Sequence, residues 1–386
     1  MTTLAFFDDR HPSVYGSEEN LLLLAEACRD VGHSVVFITT DEGVLANEAR
    51  RRELDVIVCR APGPLLRFER EPIAGLRNAL LTVHAVIRYT YKLDRIVRTI
   101  RCDVLMVSAV RPALFLLRTG LGRRTKVVLY AQNSTPLGAF AAIATLISWR
   151  TCLIGRGALP TFPRWIRPIV QRRFRLLPSG RRLEQFTANT RRWPGSAVQI
   201  LTVASITRRK GLDLLIRAAA QAADTADRSI RLVIVGGTTG GRSELYLREL
   251  QQMVSDLDVD AQFKGWQDHV VPEYHAADMF VLASYDKGLP GVLLEAMAAG
   301  LPCITTDAGS AGEVVSQCGA GIVVKRGDTA GIAAAISKLI ADEDLWHELS
   351  TTGQNRVMDL YGLEAYRRSY EQILTGDACS KPGIRR

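Results

Sequence analysis

The sequence predicts an α/β protein built from two doubly wound parallel sheets, one in each half of the chain. Three observations carry this prediction. Short runs rich in valine, isoleucine and leucine alternate with longer amphipathic stretches, the pattern of strands buried on both faces and linked by helices. The alternation lapses in an irregular, Arg-rich segment and then begins again. The chain has 386 residues, 47% of them hydrophobic and 23% charged, which suits two globular cores.

In the first half, "LAFF" reads as a strand and "SEENLLLLAEACRDVG" as an amphipathic helix ending at Gly32. "HSVVFITT", "LDVIVCR", "CDVLMVS" and "TKVVLYA" supply four more strands. After the Arg-rich segment come strand "VQILTVAS", helix "GLDLLIRAAAQAA", strand "IRLVIVGG", helix "SELYLRELQQMVSDL", strand "AQFKGW" and short helix "VVPEYHAA". "MFVLAS", "PCITT" and "AGIVVK" complete a second parallel sheet, and "LEAYRRSYEQIL" reads as a last amphipathic helix. The expected division is 1–194 and 195–376, joined near Trp193–Pro194–Gly195, with the last helix returning towards the first domain. Residues 377–386 read as a flexible tail. Two such Rossmann-like domains are expected to face each other across a cleft at the carboxyl ends of their strands, where ligands of open α/β sheets bind.

Bulk charge narrows the partners. Lys and Arg total 49 against 40 Asp and Glu, a net +9 that favours anionic partners. Much of the excess lies between Arg150 and Arg192. Interleaved aromatics or a known nucleic-acid module are missing there, so no nucleic-acid partner is expected. "FPRWIRPIVQRRFRLL" instead mixes basic and apolar residues as a contact with anionic lipid would. The seven cysteines are scattered, with no C-x-x-C, so neither a disulfide framework nor a zinc site is expected. The N-terminus does not read as a signal peptide. No apolar run approaches the roughly 18 residues of a spanning helix. The expected location is cytoplasmic, with peripheral contact at the inner face of the membrane.

The loops that follow strands carry the chemistry. After "MFVLAS", the segment "YDKGL" leads to Pro290, placed for the first turn of helix "GVLLEAMAA". The amides of Gly291, Val292 and Leu293 then form an anion site at a helix N-terminus. Glu295 lies one turn in, among apolar neighbours, where a carboxylate needs donors such as vicinal sugar hydroxyls. "VASITRRKGLDLL" brings Arg208, Arg209 and Lys210 to the end of another strand, a match for diphosphate charge. "TTDAGSAGEVV" offers a further Gly-rich turn, and Gly16 lies between the first strand and first helix of the N-terminal domain.

These loops together resemble family 4 glycosyltransferases of the GT-B fold, over nearly the whole chain. The family signature S-x-x-E-G-x-P-x-x-x-x-E-A-M-A-x-G-x-P-V-V-x-T-x-x-G-G-x-x-E corresponds to "SYDKGLPGVLLEAMAAGLPCITTDAGSAGE". "FKGW" with "VPEYHAADMFVLAS", "LLPSGRRLEQF" and "GSEENLLLLAEACRDVGHSV" match three further family segments. The resemblance implies retaining, metal-independent transfer of a sugar, of hexosyltransferase type, with a nucleotide-diphosphate sugar as donor substrate and no cofactor. The acceptor would be a glycan or a lipid-linked molecule of cell-surface synthesis. By the same resemblance Glu295 would bind the donor ribose and Lys210 the departing diphosphate. Gly288, Leu289, Pro290 and the amides of Gly291 to Leu293 would cradle phosphates or sugar. Gly265 and Trp266 would lie near the base, and Gly16 near the donor phosphate.

Three positions depart from the family. Lys287 replaces the first glutamate of the signature, with Asp286 adjacent to it. Ser205 stands where a diphosphate-binding arginine is common, leaving Arg208 or Arg209 to compensate. "AQNSTP" lacks the histidine often offered to the sugar, leaving Gln132 and Asn133 as hydrogen-bonding candidates. These departures keep a catalytically degenerate nucleotide-sugar-binding protein open as an alternative. A sugar-nucleotide epimerase of the same fold would need cleft carboxylates and histidines that cannot be placed. A nicotinamide dehydrogenase would need G-x-G-x-x-G where "VIVGGTTGGRSE" stands.

Overall fold

A computed structural model describes residues 2–8, 17–62, 76–108, 113, 115–116, 119, 124–131, 138–153, 164–177, 180–187, 193–238, 240–285 and 290–375. The chain divides into two compact units, Met1–Gly180 with Tyr366–Arg386, and Arg181–Ala365.

The first unit holds β1 (Thr3–Phe7), α1 (Ser17–Asp30), β2 (Ser34–Thr39), α2 (Val44–Arg51), β3 (Asp55–Val58), α3 (Leu76–Thr99), β4 (Val104–Val107), β5 (Lys126–Ala131), α4 (Gly138–Ile147), β6 (Arg150–Leu153), α5 (Arg167–Arg173) and β7 (Phe174–Leu176). Its strands form a seven-stranded parallel sheet in the order β3-β2-β1-β4-β5-β6-β7. The five strands expected from hydrophobic runs are present. The last two fall inside the segment read as irregular: "RTCL" and "FRL" are short and carry arginine, so no apolar run marks them. Cys152 and Leu153 are nonetheless fully buried. Helices α3, α4 and α5 all feed one core cluster, through Ala85, Tyr89 and Leu93, through Ala144, and through Val170 with Ile166 just before α5. They therefore form one layer over one face of the sheet.

The second unit holds β8 (Ala197–Val203), α6 (Leu212–Ala223), β9 (Ser229–Val235), α7 (Gly241–Asp256), β10 (Asp260–Gly265), α8 (Val271–Ala276), β11 (Met279–Leu282), α9 (Gly291–Ala298), β12 (Cys303–Thr306), α10 (Ala311–Cys318), β13 (Gly321–Val324), α11 (Thr329–Ala341) and α12 (Glu343–Tyr361). Its six strands are all parallel, in the order β10-β9-β8-β11-β12-β13. Alternate side chains go to opposite faces, as a pleated strand requires. Ile200, Leu232, Val281 and Ile304 enter one core, Leu201, Val233, Phe280 and Cys303 the other. Strand order reverses between β8 and β11, so the loops leaving these two strands diverge and open a crevice. They carry Lys210 and the stretch beginning at Ser284.

The boundary between units falls at Gly180 and Arg181 rather than at Trp193–Gly195. Leu183 and Phe186 are the physical reason: both are buried in the second unit's core. A last helix, α13 (Leu363–Thr375), leaves the second unit, and from Tyr366 onward it belongs to the first. There the Tyr366 hydroxyl donates to the carbonyl of Asn20 at 3.2 Å, and Tyr370 lies 6.2 Å from the Phe6 ring. The six cysteines of the described residues are buried free thiols.

Two aspartates start the closing helices. Asp328 and Asp342 accept hydrogen bonds from the amides of Gly331 and Leu345, at 2.8 and 2.9 Å. Trp346, wholly buried on α12, donates its indole N–H to the Asp278 carbonyl at 3.0 Å and packs edge-on against Trp193. Trp346→Ala should therefore cost about 3–5 kcal/mol, the loss typical of a buried aromatic. Urea unfolding followed by circular dichroism measures this, and a loss under about 1 kcal/mol would contradict the packing described.

Candidate active site

Backbone geometry at the crevice of the second unit comes first. After β8, a short 3-10 turn, Arg208–Lys210, ends at Gly211 in the left-handed conformation, φ 62°. A side chain at Gly211 would collide with the carbonyl oxygen of Ala283, the residue after β11. Glycine thus lets the two loops touch. The Arg209 carbonyl then accepts from the Tyr285 amide at 2.8 Å and from the Ser284 hydroxyl at 3.2 Å. Lys210 is half-buried and fixed next to the loop that leads into α9.

Pro290 is the N-cap of α9 rather than a residue of its first turn, and no side chain caps the helix. Its carbonyl accepts the Leu293 amide at 3.1 Å. Leu293 is also wholly buried, so it is removed from the expected anion site. Gly291 and Val292 remain, both half-buried, with amides that find no acceptor among the described residues.

One turn in, the Glu295 carboxyl group is enclosed by protein atoms although the residue keeps some exposed surface. Burial pushes its carboxyl above the usual range; the positive charge of Arg181 and a hydrogen bond from Tyr274 oppose this. The Tyr274 hydroxyl donates to Glu295 Oε2 at 2.9 Å and lies 3.3 Å from the Val292 carbonyl. Burial, followed by the neighbouring carboxylate, holds that phenol protonated well above its ordinary value, so it stays a donor. Arg181 comes from far away in the chain. Its backbone N–H bonds the Tyr361 carbonyl at 3.1 Å, and its guanidinium lies over Gly291. A Cβ at Gly291 would stand 2.6 Å from Arg181 Nε and 2.8 Å from Cζ. Sequence reading missed Arg181 and Tyr274. A signal for Tyr274 existed, since a phenol on a short helix between buried strands must find an acceptor. For Arg181 there was none beyond membership of a basic run.

Beside this cluster, at the carboxyl ends of β9 and β10, a half-open cavity of about 450 Å³ is lined by Ile206, Gly237, Leu247, Gln251, Phe263 and Trp266, among others. Trp266 is 62% exposed at its rim, with its indole N–H on Asp268 at 3.1 Å. Gly265 ends β10 with φ 69°, its carbonyl taking the Gly236 amide at 2.8 Å. Ser205 is half-buried between residues tied to the end of β9: Ala204 N–H bonds Val235 and Ile206 N–H bonds Gly237. Arg208 points elsewhere. It pairs with Glu249 and stacks 4.8 Å over the Tyr246 ring, whose hydroxyl holds Asp213. As a replacement for the arginine missing at Ser205 it is therefore engaged by α7. Gly16, Gln132, Asn133, Asp286, Lys287, Gly288 and Leu289 lie outside the described residues. Among the described residues no three side chains gather as metal ligands.

The raised carboxyl of Glu295 has a pH signature. Its folded form favours the proton, so its contribution to stability is present below the ordinary value of 4.5 and is lost as pH rises through the raised value. Glu295→Gln keeps an acceptor for Tyr274 without the charge. It should melt higher than the natural protein at neutral pH, by about 2–4 °C for each kcal/mol, with the difference closing as pH falls towards 4.5. A gap independent of pH in thermal melts would contradict the burial described.

Comparison with known proteins finds relatives for the second unit and for the fold. Residues 197–342 match the family model described as glycosyl transferases group 1. The lipopolysaccharide core biosynthesis glycosyltransferase LpsE of Rhizobium meliloti (strain 1021) is 29% identical over 191 residues, 49% of this chain and 52% of LpsE, so the match spans about half of that relative. LpsD of the same organism is 24% identical over 331 residues, 84% of this chain and 91% of LpsD. The crystal structure of Anabaena HepE in complex with UDP superposes with a TM-score of 0.76 at 15% identity, covering 97% of this chain and 100% of that one. Residues 197–342 of the second unit are therefore similar to the glycosyl transferases group 1 domain, in a chain whose fold is that of the GT-B glycosyltransferases.

Proposed function

We propose that this chain is a retaining glycosyltransferase of hexosyltransferase type. It would move a sugar from a nucleotide-diphosphate donor to a glycan or lipid-linked acceptor of cell-surface synthesis. One observation carries the reading. Along the carboxyl edge of the second unit's sheet lie, in order, an aromatic-rimmed cavity at β10 and β9, Lys210 after β8, and the open N-terminus of α9 with Glu295 after β11. Three strand spacings separate β10 from β11, about 14 Å, comparable to the length of a nucleoside diphosphate. The base would occupy the cavity against Trp266, the ribose hydroxyls would donate to Glu295, and the diphosphate would meet Lys210 and the amides of Gly291 and Val292. HepE, which shares the fold, binds UDP, and the names of LpsE and LpsD place them in lipopolysaccharide core synthesis.

In this reading the anomeric C–O bond to the donor phosphate breaks as the acceptor oxygen forms its own bond on the same face. The acceptor's proton passes to a leaving phosphate oxygen. Negative charge grows on the diphosphate, and fixed donors aimed at it lower the barrier. The positive charge comes from Lys210 and two amides rather than from a metal ion or a cofactor.

The helical layer of the first unit supports peripheral contact with an anionic membrane. On α3, Val83, Ile87 and Tyr91 recur at four-residue spacing and are 55%, 50% and 53% exposed. Arg88, Lys92 and Arg95 are exposed on the same helix. On α4, Leu146 is 50% exposed, and Trp165 before α5 is 65% exposed. The basic stretch singled out in the sequence contributes only in part, because Ile166 and Val170 turn into the core. Among the described residues no helix is long and apolar enough to cross a membrane.

Incubation with a panel of nucleotide sugars, reading release of nucleoside diphosphate, tests the reaction. Glu295→Ala and Lys210→Ala should each lower kcat/KM about 10²–10³-fold, and a chelator should leave the rate unchanged. Variants turning over at the natural rate would sink the assignment. Sedimentation with vesicles tests the membrane contact: binding should require anionic lipid, weaken with salt, and drop on Ile87→Asp with Tyr91→Asp. Binding indifferent to lipid charge would overturn it.

A further inference from the structure

We infer that Arg181 is a phosphate-binding residue of this site, supplying to a nucleoside diphosphate the guanidinium that Ser205 does not. The inference rests on the proposed donor chemistry and adds a residue to it.

Arg181 stands where a cation is poorly placed without an anion. The N-terminus of α9 carries the positive end of the helix dipole, and its amides at Gly291 and Val292 find no acceptor among the described residues. A guanidinium laid against that first turn is repelled by it. Gly291 makes the approach possible, since any larger residue would meet the guanidinium. Arg181 Nε is buried and has no hydrogen-bond partner, and among the described residues no carboxylate closes an ion pair with the side chain. Glu295 exerts a favourable field from one turn further in, but Tyr274 holds its Oε2. A buried donor without an acceptor, beside two amides that find none among the described residues, is costly, and an anion with several acceptor oxygens would remove that cost.

The other cations after β8 are positioned differently. Arg208 is engaged by Glu249 and the Tyr246 ring. Arg209 is exposed, and its backbone carbonyl ties down Ser284 and Tyr285. Lys210 approaches as a point charge, whereas Arg181 presents a planar fork suited to two oxygens of one phosphate. The Arg181 backbone is anchored to the end of α12 through Tyr361 and the bridge to Gly362, so the fork is held by the fold of the second unit itself.

Calorimetric titration of the full chain with UDP, GDP, the two nucleosides and inorganic pyrophosphate tests this. In the natural protein one nucleoside diphosphate should bind much more tightly than its nucleoside. Arg181→Gln should weaken diphosphate and pyrophosphate binding about 10–100-fold and leave nucleoside binding unchanged. Arg181→Lys, which keeps the charge without the fork and preserves the fold if glutamine does not, should fall between. If the natural protein binds the diphosphate and either variant matches it, the role of Arg181 is overturned while the donor reading stands. That outcome also covers an Arg181 that serves an anionic acceptor instead. If the natural protein binds neither diphosphate, the donor reading itself fails.

Discussion

The contact between Gly211 and the Ala283 carbonyl is the constraint on which the site depends. Strands β8 and β11 are neighbours at the point where strand order reverses, so their chains leave to opposite sides and the loops would ordinarily part. Here a left-handed glycine removes the one atom that would hold them apart, and the Arg209 carbonyl then gathers the Ser284 hydroxyl and the Tyr285 amide. Lys210 and the entry to α9 are consequently positioned by backbone, which moves less than side chains do. The proposed anion site, built this way, would be prepared before its ligand arrives.

Charge within the cluster follows from that arrangement. A helix N-terminus and two cations, Lys210 and Arg181, serve one end of α9, and a single carboxylate lies one turn in. Glu295 is disfavoured as an anion by its enclosure and sustained by Arg181 and Tyr274. The balance leaves positive potential at the mouth and an acceptor behind it. A ligand with phosphate at one end and hydroxyl donors further along fits that gradient. Arg208 shows the opposite outcome: equally basic and two residues from Lys210, it is drawn to Glu249 and Tyr246 on α7.

The first unit divides its basic and apolar residues differently. Its helices α3, α4 and α5 send one face into a shared core and leave isoleucine, leucine, tyrosine and tryptophan side chains on the other, among arginines and lysine. Exposed apolar residues collected on one layer are more than scattered surface residues, and together with the neighbouring charge they are the basis of the proposed contact with an anionic, amphipathic partner.

The sequence by itself determined the two sheets and the loops worth inspecting. Continuous apolar runs, buried on both faces, admit few arrangements other than covered parallel strands, and glycine, proline and Glu295 stand at fixed spacing after one of them. It did not disclose β6 and β7, whose arginines break the apolar signal while neighbouring strands supply the pairing. Nor did it disclose which cation serves which anion. Arg208 and Arg181 look alike in a basic run, and only the fold brings one to Glu249 and the other across the chain to Gly291. Period and turn chemistry are local and can be read along the chain. Partner choice depends on distances between residues remote in sequence, and those exist only once the sheet has formed.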